Sequence, residues 1–220
     1  GLLAVGGLDH LIAALAQQGN LHEYNNAVEV KQTCNDWNRF GPALYRAFAY
    51  LNGPFVQTLR HVSFEILHAD PGLNGGGVHL HGPGGLLNQH LDYEVHPKTG
   101  MVRVMNLIVY LQPGWRDEWG GGLGLWRAPD LDPEVVVTPR FNRAVIFDTR
   151  GSWHGLASPV ACPDGFMRMS IAAYYMITPA RRDETGRKKA LFAPRADQAE
   201  DPAVAALIAR RAAGESVYRG

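Results

Sequence analysis

His90 and Asp92 stand two residues apart, and His154 lies far downstream, followed by Arg168 and Ser170. Side chains alternate with period two along an extended strand, so His90 and Asp92 point the same way while Leu91 points away. With His154 they can close one face of a metal's coordination sphere. Two imidazoles and a carboxylate on one face leave the remaining positions open, the arrangement suited to non-haem Fe(II) and oxygen chemistry. The chain is therefore expected to hold iron on His90, Asp92 and His154.

Arg168 and Ser170 share a strand face by the same period. A buried guanidinium without a counter-charge costs about 3–5 kcal/mol, and no acidic residue lies on the strand expected over Phe166–Ile177. A ligand carboxylate, gripped bidentately, answers that need. Asn106 and Tyr110, on the parity of Val102 and Val104, are expected to offer further polar contacts. A metal with open positions beside a cationic clamp fits a dicarboxylate that chelates at one end and is anchored at the other. His10, His22, His61, His68 and His96 are read as structural or surface histidines.

These side chains need a scaffold. Leu8, Leu11, Ile12 and Leu15 recur at helical spacing before Gly19, and Ala43–Leu51 repeats the pattern before Asn52-Gly53-Pro54, so residues 1–58 read as helical support. From Val62 the period changes to two. Val62–His68, Leu86–Tyr93, Met101–Leu111, Gly122–Trp126, Val135–Thr138, Ala144–Phe147 and Phe166–Ile177 read as strands, separated by turn residues such as Pro97-Lys98-Thr99-Gly100 and Pro163-Asp164-Gly165. Many short strands argue for a sandwich or jelly roll over residues 60–177. In residues 178–220, Arg181–Lys189 is expected to be a solvated loop, and Asp201-Pro202 starts a helix over Ala203–Arg211. The reading is one domain over residues 1–220.

Composition narrows the partners. Lys+Arg and Asp+Glu both number 21, a formal net charge of zero, which gives no electrostatic reason to expect nucleic acid or an anionic membrane. No apolar run approaches a membrane span. Cys34 and Cys162 have no metal-site spacing and read as free thiols of a reducing cytoplasm. The start Gly1-Leu2-Leu3-Ala4-Val5 lacks the basic segment of a signal peptide, although a signal already removed would leave no trace.

The segments Gln89–Tyr93, Arg103–Gln112, Trp115, Gly121–Trp126, Pro139–Arg143, Phe147, His154-Gly155 and Arg168–Ser170, in this order, resemble the prolyl 4-hydroxylase-like branch of the 2-oxoglutarate/Fe(II) oxygenases. The resemblance covers about residues 60–177 and is more specific than an isolated H-x-D. It implies a double-stranded β-helix (a cupin-like jelly roll, mainly β with flanking helices), iron on His90, Asp92 and His154, and 2-oxoglutarate chelating the iron. Its far carboxylate would be held by Arg168, Tyr110 and Ser170. It further implies hydroxylation of a substrate C–H bond coupled to oxidative decarboxylation of 2-oxoglutarate to succinate and CO2, with O2 consumed and ascorbate in a supporting role. Asp92 favours hydroxylation over halide transfer, because halide-transferring relatives carry a small residue there. Where the family often places a tyrosine before the H-x-D strand, this chain has His79 and His81.

Two other classes compete. A cupin-like metal-binding isomerase would use His79 and His81 as its H-x-H pair, but Gly82-Pro83-Gly84-Gly85 occupies the stretch where a glutamate is wanted. A non-catalytic sugar- or ligand-binding module would only line a groove with its histidines. Neither would form succinate. For the substrate, Trp119 in the Gly114–Gly122 loop, read as a lid with glycine hinges, Arg116 and His81 are the candidate contacts. Trp115, Trp126 and Trp153 are placed around the same mouth, and Arg127 is a weaker partner for an anion. The expected substrate is a small molecule, with a peptidyl-prolyl residue as the alternative.

Overall fold

The computed structural model describes residues 21–63, 65–179 and 186–215. The helix expected around Leu8–Leu15 lies outside them. Strands β1 (His22–Asn26) and β2 (Glu29–Cys34) form an antiparallel hairpin, so this part of the chain supplies sheet rather than helical support. Their polar sequences carry no period-two apolar signal.

Helix α1 (Pro42–Asn52) begins on a proline, whose missing N–H costs nothing there, and buries Leu44, Ala47, Phe48 and Leu51 at helical spacing. Gly53 interrupts it, and α2 (Pro54–Ser63) buries Val56 and Leu59. This corrects the strand expected over Val62–His68. Its alternating Val62 and Ile66 are 72% and 74% exposed, so the pattern marks no buried face. Only β3 (His68–Ala69) is extended, and it pairs with β12.

Ten further strands follow: β4 (Gly77–His81), β5 (Leu86–Leu87), β6 (His90–Leu91), β7 (Val102–Tyr110), β8 (Leu123–Trp126), β9 (Val135–Val137), β10 (Ala144–Asp148), β11 (Trp153–Leu156), β12 (Arg168–Ile177) and β13 (Leu191–Phe192). The larger sheet runs β1-β2-β4-β12-β7-β10, with β3 on β12 and β5 on β2; the smaller runs β13-β6-β11-β8-β9. The single strand expected over Leu86–Tyr93 is therefore two pieces in different sheets. This is the double-stranded β-helix architecture.

The outer face of the larger sheet packs on α1 and α2 through Val78, Leu80, Leu107, Val109, Met169, Ile171, Ala173 and Tyr175. The inner face looks towards the smaller sheet across a cavity. Along β12 the alternation is regular, but the β7 pairing slips at Tyr175/Met176. That bulge corrects the parity expected for β7: Val104 joins the core with Leu107 and Val109, while Arg103 lines the cavity with Asn106 and Ile108.

Helix α3 (Pro202–Ala212) starts as expected, with Asp201 accepting from the N–H groups of Ala203 and Val204. Both cysteines are free and buried. Among the described residues no helix is long and apolar enough to cross a membrane.

Candidate active site

His90 and His154 are directly opposed across the β6–β11 ladder, which brings their ring centroids to 4.2 Å. Asp92 sits just past β6, with Oδ1 3.8 Å from His90 Nε2 and Oδ2 3.4 Å from His154 Nε2. One ligand atom from each of the three lies within 4.8 Å of the others, and all three residues are buried. His90 Nδ1 faces the Asn88 carbonyl at 2.9 Å and His154 Nδ1 the Ser152 carbonyl at 3.0 Å. A carbonyl only accepts, so each Nδ1 carries the proton and each Nε2 lone pair is aimed at the shared point. Phe192 stacks on His90, 5.1 Å between centroids, and Phe147 lies 5.0 Å from His154, fixing both rings in an apolar wall.

Burial pushes the His90 imidazole down to about 3, with His154 beside it acting the same way, so it stays neutral. Burial alone would raise the Asp92 carboxyl. His154 and Arg103 outweigh it and hold it well below the usual carboxylate range. The donor set is thus two neutral imidazoles and one anion.

Arg103, which sequence reasoning missed as a site residue, supports the anion. Its guanidinium is 3.5 Å from Asp92 Oδ1, donates to the Asn74 carbonyl at 2.6 Å, and is sandwiched between Tyr93 and Tyr174, at 3.5 and 3.4 Å from their centroids. Only its odd position in a β7 read as even-faced was available in the sequence, and the bulge hid its meaning. Phe192 was missed because β13 is two residues long.

Arg168 is buried and paired with His81 across the β12–β4 ladder, as Ser170 is with His79. Its Nε donates to Gly121 O at 2.6 Å. The guanidinium carbon lies 5.0 Å from the Tyr110 ring centroid, and among the described residues no carboxylate pairs with it. Burial lowers its pKa and Tyr110 opposes that. The Tyr110 hydroxyl, Asn106 Oδ1, Asp92 Oδ2 and both His81 ring nitrogens are buried with no hydrogen-bond partner. Orphaned groups of this kind inside a protein call for a ligand, and these surround the triad and Arg168. A cation at the triad and a carboxylate-bearing molecule beside it fit them.

A cavity of about 700 Å³ is lined by the triad, Arg103, Asn106, Arg168, Ser170 and His81, with the fully buried Tyr110 behind Arg168. Two expected substrate contacts lie elsewhere. Trp119 packs with Trp115, Leu156, Val160 and Cys162 in a separate apolar cluster, and Arg116 is on the surface beside Glu118. The Gly114–Gly122 loop is tied down rather than hinged. Trp115 Nε1 and Arg168 Nε donate to its Gly120 and Gly121 carbonyls, and Gly121 N–H donates to Ser158 O. Arg187, expected in a solvated loop, donates to the Asp92 carbonyl at 2.8 Å. His79 and His81 face the cavity but are not part of the metal-competent group, which removes the cupin ligand set.

Fold and site together define a double-stranded β-helix protein with a buried His-Asp-His group that could hold a metal ion. Residues 76–176 match the 2OG-Fe(II) oxygenase superfamily, and the fold is that of its prolyl 4-hydroxylase-like members. That family uses Fe(II), 2-oxoglutarate and O2. No curated protein matches the chain by sequence. A Pseudomonas putida prolyl-4-hydroxylase superposes with a TM-score of 0.55 at 18% identity, covering 81% of this chain and 90% of its own. The collagen prolyl hydroxylase of Paramecium Bursaria Chlorella virus-1, solved as its 2-oxoglutarate complex, gives 0.53 at 16% identity, covering 81% and 93%. HygX from Streptomyces hygroscopicus, with nickel, 2-oxoglutarate and hygromycin B bound, gives 0.53 at 14%, covering 83% and 82%. At such identities the likeness establishes the fold.

Proposed function

We propose that this chain hydroxylates a C–H bond of a small-molecule substrate, with Fe(II) held by His90, Asp92 and His154 and 2-oxoglutarate held by Arg168, Tyr110, Ser170 and Asn106. Bound Fe(II), with 2-oxoglutarate and O2, supplies the oxidative decarboxylation to succinate and CO2 that drives hydroxylation. The chain's own residues prepare that chemistry. The Asn88 and Ser152 carbonyls hold both imidazoles in the Nδ1–H tautomer. Arg103 orients the Asp92 carboxylate. Arg168, held at Nε by Gly121, keeps its Nη groups for the cosubstrate's far carboxylate, and the Tyr110 hydroxyl stands ready to donate to the same group.

The observation that carries this reading is the convergence of the three ligand atoms within 4.8 Å, next to an arginine without a carboxylate partner among the described residues. A small substrate is favoured because Lys188, Lys189, Ala190 and Phe192, with Arg211, Gly214 and Glu215, contribute to the cavity wall, narrowing the approach a peptide strand would need. The test is iron content together with iron-dependent formation of succinate from 2-oxoglutarate, repeated with His154→Ala. Stoichiometric iron and succinate, both lost in the variant, are expected. Succinate formation that survives the substitution refutes the assignment.

A further inference from the structure

The wall of the cavity away from the triad carries a row of cations that the oxygenase reading does not use. Tyr24 pairs with Lys31 across β1–β2, and Gln32 pairs with Leu80 across β2–β4. One step further along that register sets Lys31 beside His81, which in turn pairs with Arg168. His81 therefore lies between two cations on one sheet face, 1% exposed, with neither ring nitrogen hydrogen-bonded. Burial and then Arg168 and Lys31 keep its imidazole neutral, and His79 is pushed down to about 3 by burial and Lys31.

The local charge is not balanced. Glu29 is the only carboxylate paired with Lys31 among the described residues, at 3.1 Å, and it is shared with Arg211. One anion between two cations leaves a positive excess on side chains only 11% and 13% exposed. At the mouth, Lys188 and Lys189 are exposed, and no carboxylate pairs with them among the described residues. A second groove, of about 420 Å³, continues from the cavity past Tyr24, Lys31, Asn35 and His79. Lys31 stands where the two spaces meet, beyond the group assigned to 2-oxoglutarate.

We infer that Lys31 and His81 form an anion subsite for the substrate, which is a small polar metabolite bearing a carboxylate or a phosphate. This rests on the oxygenase reading and names its substrate class. Lys31 supplies the charge, neutral His81 donates a hydrogen bond, and Lys188 and Lys189 draw the anion towards the mouth. Arg168 stays with the cosubstrate. An internal prolyl residue of a peptide carries no charge to satisfy this subsite.

The experiment titrates the full chain, loaded with Mn(II), first with 2-oxoglutarate and then, in its presence, with inorganic phosphate or acetate. Absence of 2-oxoglutarate binding sinks the oxygenase reading. Its presence isolates the anion subsite. Saturable binding of at least one probe is expected, weakened tenfold or more by Lys31→Met and restored by Lys31→Arg. Phosphate alone points to a phosphorylated substrate, acetate alone to a carboxylic acid, and both to a subsite open to either. The double variant Lys188→Ala/Lys189→Ala, which alters only exposed side chains, should weaken the same binding and flatten its salt dependence, giving a readout independent of how Lys31→Met folds. No saturable binding of either probe overturns the subsite. So does binding that is indifferent to Lys31→Met and to the double variant, which would place the probe at the metal.

Discussion

Gly121→Ala separates the support of Arg168 from general loop stability. Gly121 has φ +66°, and a Cβ there would sit 2.9 Å from Val160 Cγ2 and 3.1 Å from Arg168 Cδ. An L-residue pays about 1–2 kcal/mol for the left-handed backbone. Both neighbours are buried and cannot swing into solvent, so crowding adds about 1–3 kcal/mol. The same contact pushes Arg168 off the Gly121 carbonyl that holds its Nε at 2.6 Å. A hydrogen bond to a charged group is worth about 1.5–3 kcal/mol, so 2-oxoglutarate affinity should fall roughly 10- to 150-fold. Gly114→Ala is the control: φ is +68° there, yet nothing lies within 4 Å of its Cβ, so it should cost only the backbone penalty and leave cosubstrate affinity alone. Urea denaturation and calorimetric titration of 2-oxoglutarate into the Mn(II) protein read both quantities. Equal cosubstrate affinities in the two alanine variants would refute the idea that this loop positions the clamp.

Further outcomes follow from the same geometry. Asp92→Ala removes the only anionic ligand, and metal retained in equilibrium dialysis should drop to background while the far-ultraviolet circular dichroism stays that of the wild type. Arg103→Met strands the Asp92 carboxylate and should cost about 3–5 kcal/mol; the double variant with Asp92→Asn should cost less than the two changes added, and strict additivity in urea melts would deny the coupling. His79 and His90 are held down to about 3 by burial, with Lys31 and His154 respectively adding to it, whereas in the unfolded chain they protonate near 6.5. Unfolding therefore takes up protons. The metal-free protein should lose stability as pH falls from about 6.5 towards 3, by about 1.4 kcal/mol per pH unit for each histidine. Identical urea midpoints at pH 7 and pH 5 in chelator would contradict their neutral burial.

The grouping of His90 with Asp92 and of Arg168 with Ser170 on one cavity was legible in sequence because each pair has the two-residue spacing of one strand face. The long strands β7, β10 and β12 and helix α3 were legible for similar reasons of period and capping. What escaped depends on partners distant in the chain. The β1–β2 hairpin is polar, so its alternation has no hydrophobic signature, and Lys31 went unnoticed with it. Strand β11 is Trp153-His154-Gly155-Leu156, too short for a pattern, although it aligns His154 with His90. The bulge at Tyr175/Met176 leaves no local mark, and it decides that Arg103 rather than Val104 meets Asp92. Trp119 shows the opposite error, since tryptophan in a glycine-rich loop suggested a substrate contact, but Trp115 and Phe166 enclose it at 5.3 and 4.8 Å.

The opposition of His90 and His154 across one ladder also bears on the order of assembly. The β6 segment brings only His90 and Asp92 and β11 only His154, and Phe192 must dock before His90 has its backing ring. On the proposed assignment iron would be captured by a finished barrel, unlike small zinc modules whose fold the metal drives. A growing polypeptide would carry no complete triad until His154 had been made, and no backing ring for His90 until Phe192 had followed. Refolding in the presence of a chelator should accordingly reach the same yield as refolding with iron, and metal added afterwards should still load.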